Sequence, residues 1–563
     1  METADRQQES KGTTFTDRAA QMFPRLTAAQ VDRISRVGHR RDVRAGEVLF
    51  DAGEQNTRFF VVLSGAVEIV RPVGDQEEPV IVHHPGGFTG EINMLSARRS
   101  LVRARTASDG VVIALDRDDL RTLVQRDSEL SEILMRAFIL RRVALMGQAT
   151  NDMVLLGSRH SGSTQSIREF LSRNGQPFTY QDVETDPGVQ VLLDRFHVGV
   201  GDVPVIVCRG GHVLRNPSVE KLSSVLGLSA ELDATEIHEV VIVGGGPAGL
   251  AAAVYGASEG LDVLVLESTA PGGQAGTSSR IENYLGFPTG ISGQALSARA
   301  LTQAEKFGAN VAIGRSVIRF DCDSRPYRLY LSDGQMLRTR TVILATGAKY
   351  RRLALSSLSR FEGAGVYYCA THLESQLCKD EEVAVVGGAN SAGQAAVFLA
   401  GVATRVHMLV RGPSLAESMS RYLIQRLEAT PNVVLRTRTQ VEGLEGEKGL
   451  ERVRWRRLDT GESETHEIRN LFLMTGADPN TAWLEGCLTL DDKKFVKTGA
   501  DLLPEDLASA RWPLSRRPYL METSIPGVFC VGDARSASVK RVASAVGEGS
   551  ICVQLVHRAL AEL

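Results

Sequence analysis

Residues Val240 to Gly249 read VVIVGGGPAG, and residues Val383 to Ala392 read VAVVGGANSA: two glycine-rich turns, each preceded by an unbroken apolar run. In the first, Val240 to Val243 have the uninterrupted β-branched pattern of a parallel strand buried on both faces. Gly244 allows the tight turn, Gly246 lets the backbone approach a pyrophosphate, and Gly249 permits close helix packing. Pro247 suits the first turn of a helix. The unpaired N–H groups and dipole at that helix end favour an anion. A further strand, Asp262 to Leu266, ends at Glu267, about 20 residues on, where an acceptor for a ribose hydroxyl is expected.

The second stretch is looser. Gly387 is followed by Ala389 and Ala392 where the pattern prefers glycine, with Asn390 and Ser391 between them; the third position tolerates alanine. Its next strand, Arg405 to Val410, ends at Arg411 instead of an acid. A guanidinium there suits a 2′-phosphate and favours NADPH over NADH, the alternative being a solvated surface arginine. Two dinucleotide sites in one chain suggest hydride transfer between their ligands.

A chain of 563 residues leads us to expect two to four domains. The formal net charge of -3 gives no bulk attraction to nucleic acid or an anionic membrane. Met1 to Arg18 is polar and charged, without the apolar core of a secretory signal, and no apolar run is long enough for a membrane span. The seven cysteines, Cys208, Cys322, Cys369, Cys378, Cys487, Cys530 and Cys552, are scattered singly, with no Cys-x-x-Cys and no zinc-like cluster, so no metal is expected. A reducing cytoplasm fits this usage best.

The chain divides into three regions. In the first, 20–148, short β-rich runs (Val43 to Phe50, Arg58 to Leu63, Ala66 to Arg71, Val80 to His83, Val111 to Leu115) alternate with glycine turns and then give way to helices after Asp116. This argues for a closed β-roll. Phe88-Thr89-Gly90-Glu91, then Arg98-Arg99-Ser100 and Val102-Arg103-Ala104, resemble the phosphate cassette of catabolite-activator-type cyclic-nucleotide-binding domains. The resemblance implies that backbone amides near Gly90, an arginine (Arg98, or Arg99 with Ser100 after a one-residue slip) and Glu91 hold a cyclic phosphate and its ribose. A roll used only for docking is the alternative, and no helix-turn-helix follows it.

The second region, 151–227, opens β-α-β (Met153 to Gly157, Gln165 to Asn174, Phe178 to Asp182) and continues through Val203-Pro204-Val205-Ile206-Val207. It resembles a thioredoxin or glutaredoxin module, for which the resemblance implies a cis-proline at Pro204. Ser161-Gly162-Ser163-Thr164 stands where that family has Cys-x-x-Cys, and hydroxyls can cap a helix but form no disulfide.

The third region carries both fingerprints and resembles the low-molecular-weight thioredoxin reductases throughout. The resemblance rests on Gly272-Gly273-Gln274, Ile281-Glu282-Asn283-Tyr284, Ala345-Thr346-Gly347-Ala348, Thr475 to Asn480 and Val531-Gly532-Asp533-Ala534. It implies FAD at the first fingerprint and NADPH at the second, with NADH possible. It also implies an NAD(P)-binding domain (353–478) inserted between two parts of an FAD-binding domain (237–352 and 479–563). Crossings are expected near Gly347 to Leu353 and Gly476 to Asn480. By the same resemblance Gly273, Gln274, Asn283, Gly347, Asp533 and Arg541 lie around the flavin, and the protein is a homodimer. The fold class expected is therefore multidomain: a β-roll, a thioredoxin-like α/β domain and a two-dinucleotide-binding α/β flavoprotein.

Thioredoxin reductases carry Cys-Ala-Thr-Cys in the nicotinamide domain, whereas this chain has Cys369-Ala370-Thr371-His372. A single thiol cannot store two electrons as an intramolecular disulfide. His372 then reads as a general acid, a residue tuning Cys369, or a passive replacement. Three functions stay open: an FAD-dependent NAD(P)H oxidoreductase without the usual disulfide, regulated through the roll by a cyclic nucleotide or a partner; a thioredoxin-disulfide reductase using an unusual or external thiol; and a non-catalytic redox or cyclic-nucleotide sensor or scaffold. The electron acceptor, a protein among the options, is not named by any motif.

Overall fold

The computed structural model describes residues 20–562 apart from 56, 74–75, 91–92, 97–98, 149–152, 160, 187–188, 190–192, 194–198, 209–211, 230–231, 279, 282, 363, 369 and 371. Strands β1 (His39–Val43), β2 (Val48–Phe50), β3 (Phe59–Val73), β4 (Gln76–His83) and β5 (Arg103–Leu115) form one antiparallel sheet in the order β1-β5-β3-β4, with β2 also on β5. Phe59, Phe60 and Phe88 fill the roll. Two expectations change here. The run Val43 to Phe50 is broken by a turn in which Gly46 has φ +80°. The runs Arg58 to Leu63 and Ala66 to Arg71 are one strand, because Gly65, at φ +78°, lies where the register against β5 shifts and bends the strand without ending it. Helix α1 (Arg117–Arg126) is capped by the Asp116 carboxylate, which accepts from Asp119 N. Helix α2 (Ser128–Gln148) buries Leu130, Leu134 and Phe138 in the core of the roll.

The next unit contains β6 (Met153–Gly157), α3 (Gly162–Arg173), β7 (Thr179–Asp182), β8 (Val205–Cys208), β9 (Val213–Arg215) and α4 (Val219–Val225). Its sheet runs β7-β6-β8-β9, with β6 and β7 parallel and the other pairs antiparallel. Ser161 caps α3, accepting from Thr164 N, and the Val203–Pro204 peptide is cis.

The remainder is built on two larger sheets. The first contains β10 (Ile237–Val243), β11 (Val263–Glu267), β12 (Asn310–Ile313), β13 (Val317–Asp321), β14 (Tyr327–Leu331), β15 (Met336–Leu344) and a late strand, Val528–Cys530. They run β12-β11-β10-β15-β14-β13, with the late strand parallel to β15. Side chains alternate along β10: Val240 and Ile242 join the apolar cluster on one face, Val241 and Val243 that on the other. The first of these clusters also holds Leu155, Ile167, Phe170, Leu171 and Leu222, so the cores of the second unit and of this sheet are continuous.

The chain leaves through Ala348–Tyr350 and returns through Ala477–Pro479, and these two segments pair antiparallel, Lys349 opposite Asp478. Between them lies a five-stranded parallel sheet, in which β16 (Glu382–Val386) sits between β17 (Arg405–Leu409) and β18 (Asn470–Leu473). Cys322 and Cys487, 165 residues apart, form a disulfide with Cα atoms 6.2 Å apart. Scattered spacing gave no sign of this pairing, because the contact is tertiary. Among the described residues no helix is long and apolar enough to cross a membrane.

Candidate functional site: two dinucleotide clefts and a lined roll

Helix α5 (Pro247–Ser258) follows β10 directly, with Gly246 at its N-cap and no side chain over its first amides. The three fingerprint glycines serve different ends. A Cβ on Gly244, whose φ is +110°, would lie 2.3 Å from Ala345 O, and one on Gly249 would lie 1.9 Å from Gly244 O. Those two positions are closed by the chain's own backbone. A Cβ on Gly246 would meet only the Cα of Gly273, 4.0 Å away, so this glycine keeps a cradle open. Glu267, 7% exposed, ties the rim together: its Oε2 accepts from Gly245 N at 2.7 Å, and its Oε1 from Thr269 N at 2.8 Å and Ala270 N at 3.1 Å. Beside the turn, Thr346 Oγ1 is buried without a hydrogen-bond partner.

The C-terminal part lies against α5, a Cβ on Gly532 falling 3.0 Å from that of Ala248. Burial raises the Asp533 carboxyl above its ordinary range, against the pull of Lys540, with Glu548 adding to the rise. Lys540 Nζ donates to Asp533 O at 2.5 Å and to Ser538 Oγ at 2.8 Å. Glu548, on the last helix (Val542–Glu562), accepts from Gly532 N at 2.6 Å and from Arg535 Nη2 at 2.8 Å, fixing the turn that presents Asp533. No motif pointed to Glu548. An open cradle at Gly246 and an orphaned hydroxyl at Thr346 beside the turn fit a flavin dinucleotide. Gly273 has φ +51° and Gly347 φ +64°, while Gln274, exposed, donates Nε2 to Ala348 O at 3.4 Å. Asn283 and Arg541 are exposed.

The Gly273 loop is also held from the second unit. Arg173, at the end of α3, donates Nη2 to Gly273 O at 2.8 Å, and Asn174 donates Nδ2 to Thr269 O at 3.0 Å. Sequence reasoning missed both, because a basic residue at a helix C-terminus reads as a surface cap.

The second fingerprint repeats the first. Gly387 has φ +147°, and a Cβ there would lie 2.3 Å from Met474 O, the counterpart of the Gly244 and Ala345 contact. Ala389, exposed and extended, is the N-cap of helix Asn390–Leu399, so its methyl leaves the helix end open. Asn390 Oδ1 accepts from Ser420 N at 2.7 Å, Ser391 is exposed and Ala392 is fully buried. Arg411 lies exposed just past β17. Cys369 falls outside the described residues; His372 opens helix His372–Leu377, and its side chain is not described. Cys378 is fully buried, donates Sγ to Glu374 O at 3.2 Å, and has its thiol pushed up to about 12 by burial.

The roll encloses a cavity of about 180 Å3 whose lining includes Gly90 and Ser100. Ser100 Oγ bonds locally, donating to Val102 O at 2.8 Å. Arg99 is absent from the lining: it is exposed, and its side chain runs against Gly227. Glu91 and Arg98 fall outside the described residues. His83 also lines the cavity, and burial, then the nearby Arg141 charge, lowers its pKa to about 3. The unfolded chain therefore binds a proton at His83 from about pH 6.5 downward while the folded roll does not, so stability falls as pH drops through that window. At about pH 4.5 the loss from this one group is on the order of 2 to 3 kcal/mol. Hydrogen exchange of β3, compared at equal pH, should show the acid sensitivity reduced in His83→Leu; equal sensitivity in both proteins would refute the assignment.

Residues 238–549 match the family model for pyridine nucleotide-disulphide oxidoreductases, and residues 40–127 match that for cyclic nucleotide-binding domains. The chain is 33% identical over 368 residues to NADPH-dependent thioredoxin reductase 3 of Arabidopsis thaliana, an alignment covering 62% of this chain and 65% of that protein. It is 33% identical over 319 residues to the thioredoxin reductase of Ureaplasma parvum, covering 56% of this chain and 94% of that one. The solved thioredoxin reductase of Lactococcus lactis in its FR conformation superposes with a TM-score of 0.52 at 27% identity, over 58% of this chain and 100% of that one. With the paired clefts, these similarities place the chain in the pyridine nucleotide-disulphide oxidoreductase family, as an FAD-dependent, NADPH-using member of thioredoxin-reductase architecture that carries an N-terminal cyclic nucleotide-binding domain.

Proposed function

We propose that this enzyme oxidises NAD(P)H without the family's internal dithiol relay and that its output responds to a ligand or partner at the roll. The observation that carries the first half is His372, standing where the family has its second cysteine. When bound, FAD supplies the two-electron chemistry with the nicotinamide. Around it, Gly244, Gly246 and Gly249 shape the pyrophosphate turn, Glu267 faces the ribose, and Gly273, Gln274, Asn283, Gly347, Asp533 and Arg541 border the remainder. Gly387, Ala389, Asn390, Ser391, Ala392 and Arg411 hold the nicotinamide dinucleotide. The unit 151–227, with Ser161 and Thr164 in place of cysteines, acts as a redox-silent thioredoxin-like module clamped on the Gly273 loop by Arg173.

Cys378 offers no substitute thiol, since its sulfur is buried and held protonated at neutral pH. The retained Cys369 favours one second reading, a disulfide reductase that forms a mixed disulfide with a thioredoxin-like partner, as the relatives' names suggest. In the first reading His372 returns a proton to the reduced acceptor, since an imidazole titrates near neutrality. A cytoplasmic homodimer is the setting proposed for both.

Anaerobic addition of NADPH to the purified protein should bleach the flavin band, and an unbleached band with both NADPH and NADH refutes the enzyme reading. Cys369→Ser should leave bleaching and steady-state NADPH oxidation with a quinone acceptor unchanged. A selective loss of thioredoxin-disulfide reduction in that variant would establish the second reading instead. If the roll regulates the enzyme through binding, cyclic AMP or cyclic GMP should change the affinity for NADPH, and NADPH should change the affinity for the cyclic nucleotide by the same factor, because coupling between binding sites is reciprocal.

A further inference from the structure

Three consecutive residues at the end of α3, Ser172, Arg173 and Asn174, meet the loop beside the Gly246 cradle and the helix behind it. Arg173 Nη2 donates to Gly273 O at 2.8 Å and to Ala270 O at 3.4 Å, while its Nη1 donates to Glu169 Oε1 at 3.2 Å, one turn back on α3. Asn174 Nδ2 donates to Thr269 O at 3.0 Å. Ser172 O accepts from Gln294 Nε2 at 3.1 Å, in the first turn of helix Gly293–Phe307.

The loop's own fold takes up its amides and leaves these carbonyls over. Glu267 Oε1 accepts from Thr269 N and Ala270 N, and Gly245 O accepts from Gly272 N at 2.7 Å. Ala270 to Gly272 are buried, and backbone carbonyls withdrawn from water need partners. The end of α3 supplies them. Gly272 has φ +100° and Gly273 φ +51°. Two glycines in succession leave a backbone free to lie several ways, so the bonds from α3 select one. Nor is α3 a surface visitor: Ile167, Phe170 and Leu171 share one apolar cluster with Val240 and Ile242 of β10.

The Gly273–Gln274 peptide is trans, the cis bonds lying at Pro204 and Pro326. A planar trans peptide points its C=O and its N–H in opposite directions. With Gly273 O on Arg173, the Gln274 N–H therefore points away from α3, and among the described residues nothing accepts from it. Gly273 Cα lies 4.0 Å from where a Cβ on Gly246 would be, so this peptide borders the cradle. Resting on the reading of the cradle as the flavin's and of unit 151–227 as redox-silent, we infer that Arg173, with Asn174 beside it, is a positioning residue for the flavin dinucleotide: it fixes the Gly273 peptide so that the Gln274 N–H is presented to an acceptor on that ligand. The thioredoxin-like unit is then a built part of the flavin site, and its place in the reaction is to hold one wall of it.

The full chain loaded with FAD provides the test. Release of FAD on dilution, followed by the rise in flavin fluorescence, should be faster by roughly 10- to 100-fold in Arg173→Met, which loses a hydrogen bond to a charged donor. The visible circular dichroism of the flavin still bound should change with it. Arg173→Lys, whose ammonium still donates, should restore the parent's spectrum and most of its slow release. Asn174→Ala should speed release by a smaller factor, and the double variant by less than the product of the two single factors, because both side chains hold one loop. Parental release and spectrum in a folded Arg173→Met, or equal changes in Arg173→Met and Arg173→Lys, overturn the inference. If Arg173→Met does not fold, Asn174→Ala decides, and unchanged release in that variant overturns it. Bleaching by NADPH is read on the flavin that stays bound, so failure of this inference and failure of the enzyme reading are separate results.

Discussion

Gly249→Val is expected to strip the flavin from the protein, lowering bound flavin from about one per chain to less than roughly a tenth. The reason is a backbone contact. A Cβ at this position would lie 1.9 Å from Gly244 O and 3.3 Å from the Ala345 side chain, and neither the turn nor the neighbouring strand can retreat without opening β10 against β15. Overpacking a rigid site costs about 1 to 3 kcal/mol even when side chains can give way, and here the obstacle is a carbonyl. Helix α5 must then lift from the turn, and its amide end no longer faces the pyrophosphate. Gly246→Ala is the informative contrast. Its Cβ meets only the Gly273 Cα at 4.0 Å, so the flavin-free protein should keep its unfolding midpoint while flavin affinity falls, since the methyl takes up the cradle. Absorbance of the purified variants, with circular dichroism on the same samples, decides the matter. Stoichiometric flavin in Gly249→Val would show that the close approach of α5 to the turn is not required.

The local physics of this fingerprint was open to reading because each signal is contained in a few residues. Four valine-like positions, a positive-φ glycine, a proline at the first helical turn and an acid at the next strand end appear in the fold as β10, Gly244, α5 and Glu267. The expected crossings came from the resemblance alone; in the fold, Ala348–Tyr350 pairs with Ala477–Pro479. Other features have no local signature. Arg141 and Arg173 look like ordinary helix arginines until tertiary contacts bring one into the roll and the other onto the Gly273 loop. Arg99 shows the reverse: cassette spacing pointed it at a phosphate, whereas its side chain packs against Gly227, in a part of the chain that spacing within the roll cannot report. The break at Gly46 and the bulge at Gly65 follow the same logic, since a positive-φ glycine serves either a turn or a bend, and the partner strand decides which.

Reversing the charge at Arg411 should invert the choice of nicotinamide cofactor. Arg411 is exposed beyond the end of β17, on the strand next to the one that feeds Gly387, and among the described residues no carboxylate pairs with it. It therefore has a guanidinium to offer the 2′-phosphate that distinguishes NADPH from NADH. A charge-assisted hydrogen bond contributes about 1.5 to 3 kcal/mol, so Arg411→Ala should lower kcat/KM for NADPH by roughly 10- to 100-fold and leave NADH nearly unchanged. Arg411→Glu goes further: its carboxylate repels the phosphate and accepts from the ribose hydroxyl of NADH, the role proposed for Glu267 at the first fingerprint. The measurement is the rate of flavin bleaching with each nucleotide under anaerobic conditions. Salt provides a second readout, because an exposed pair weakens with ionic strength, so the parent's preference for NADPH should shrink as salt is raised while the variant's preference for NADH barely moves. If Arg411→Glu retains the parent's NADPH-to-NADH ratio, Arg411 is only a solvated surface residue. The nicotinamide preference must then be set elsewhere in the loop that follows β17.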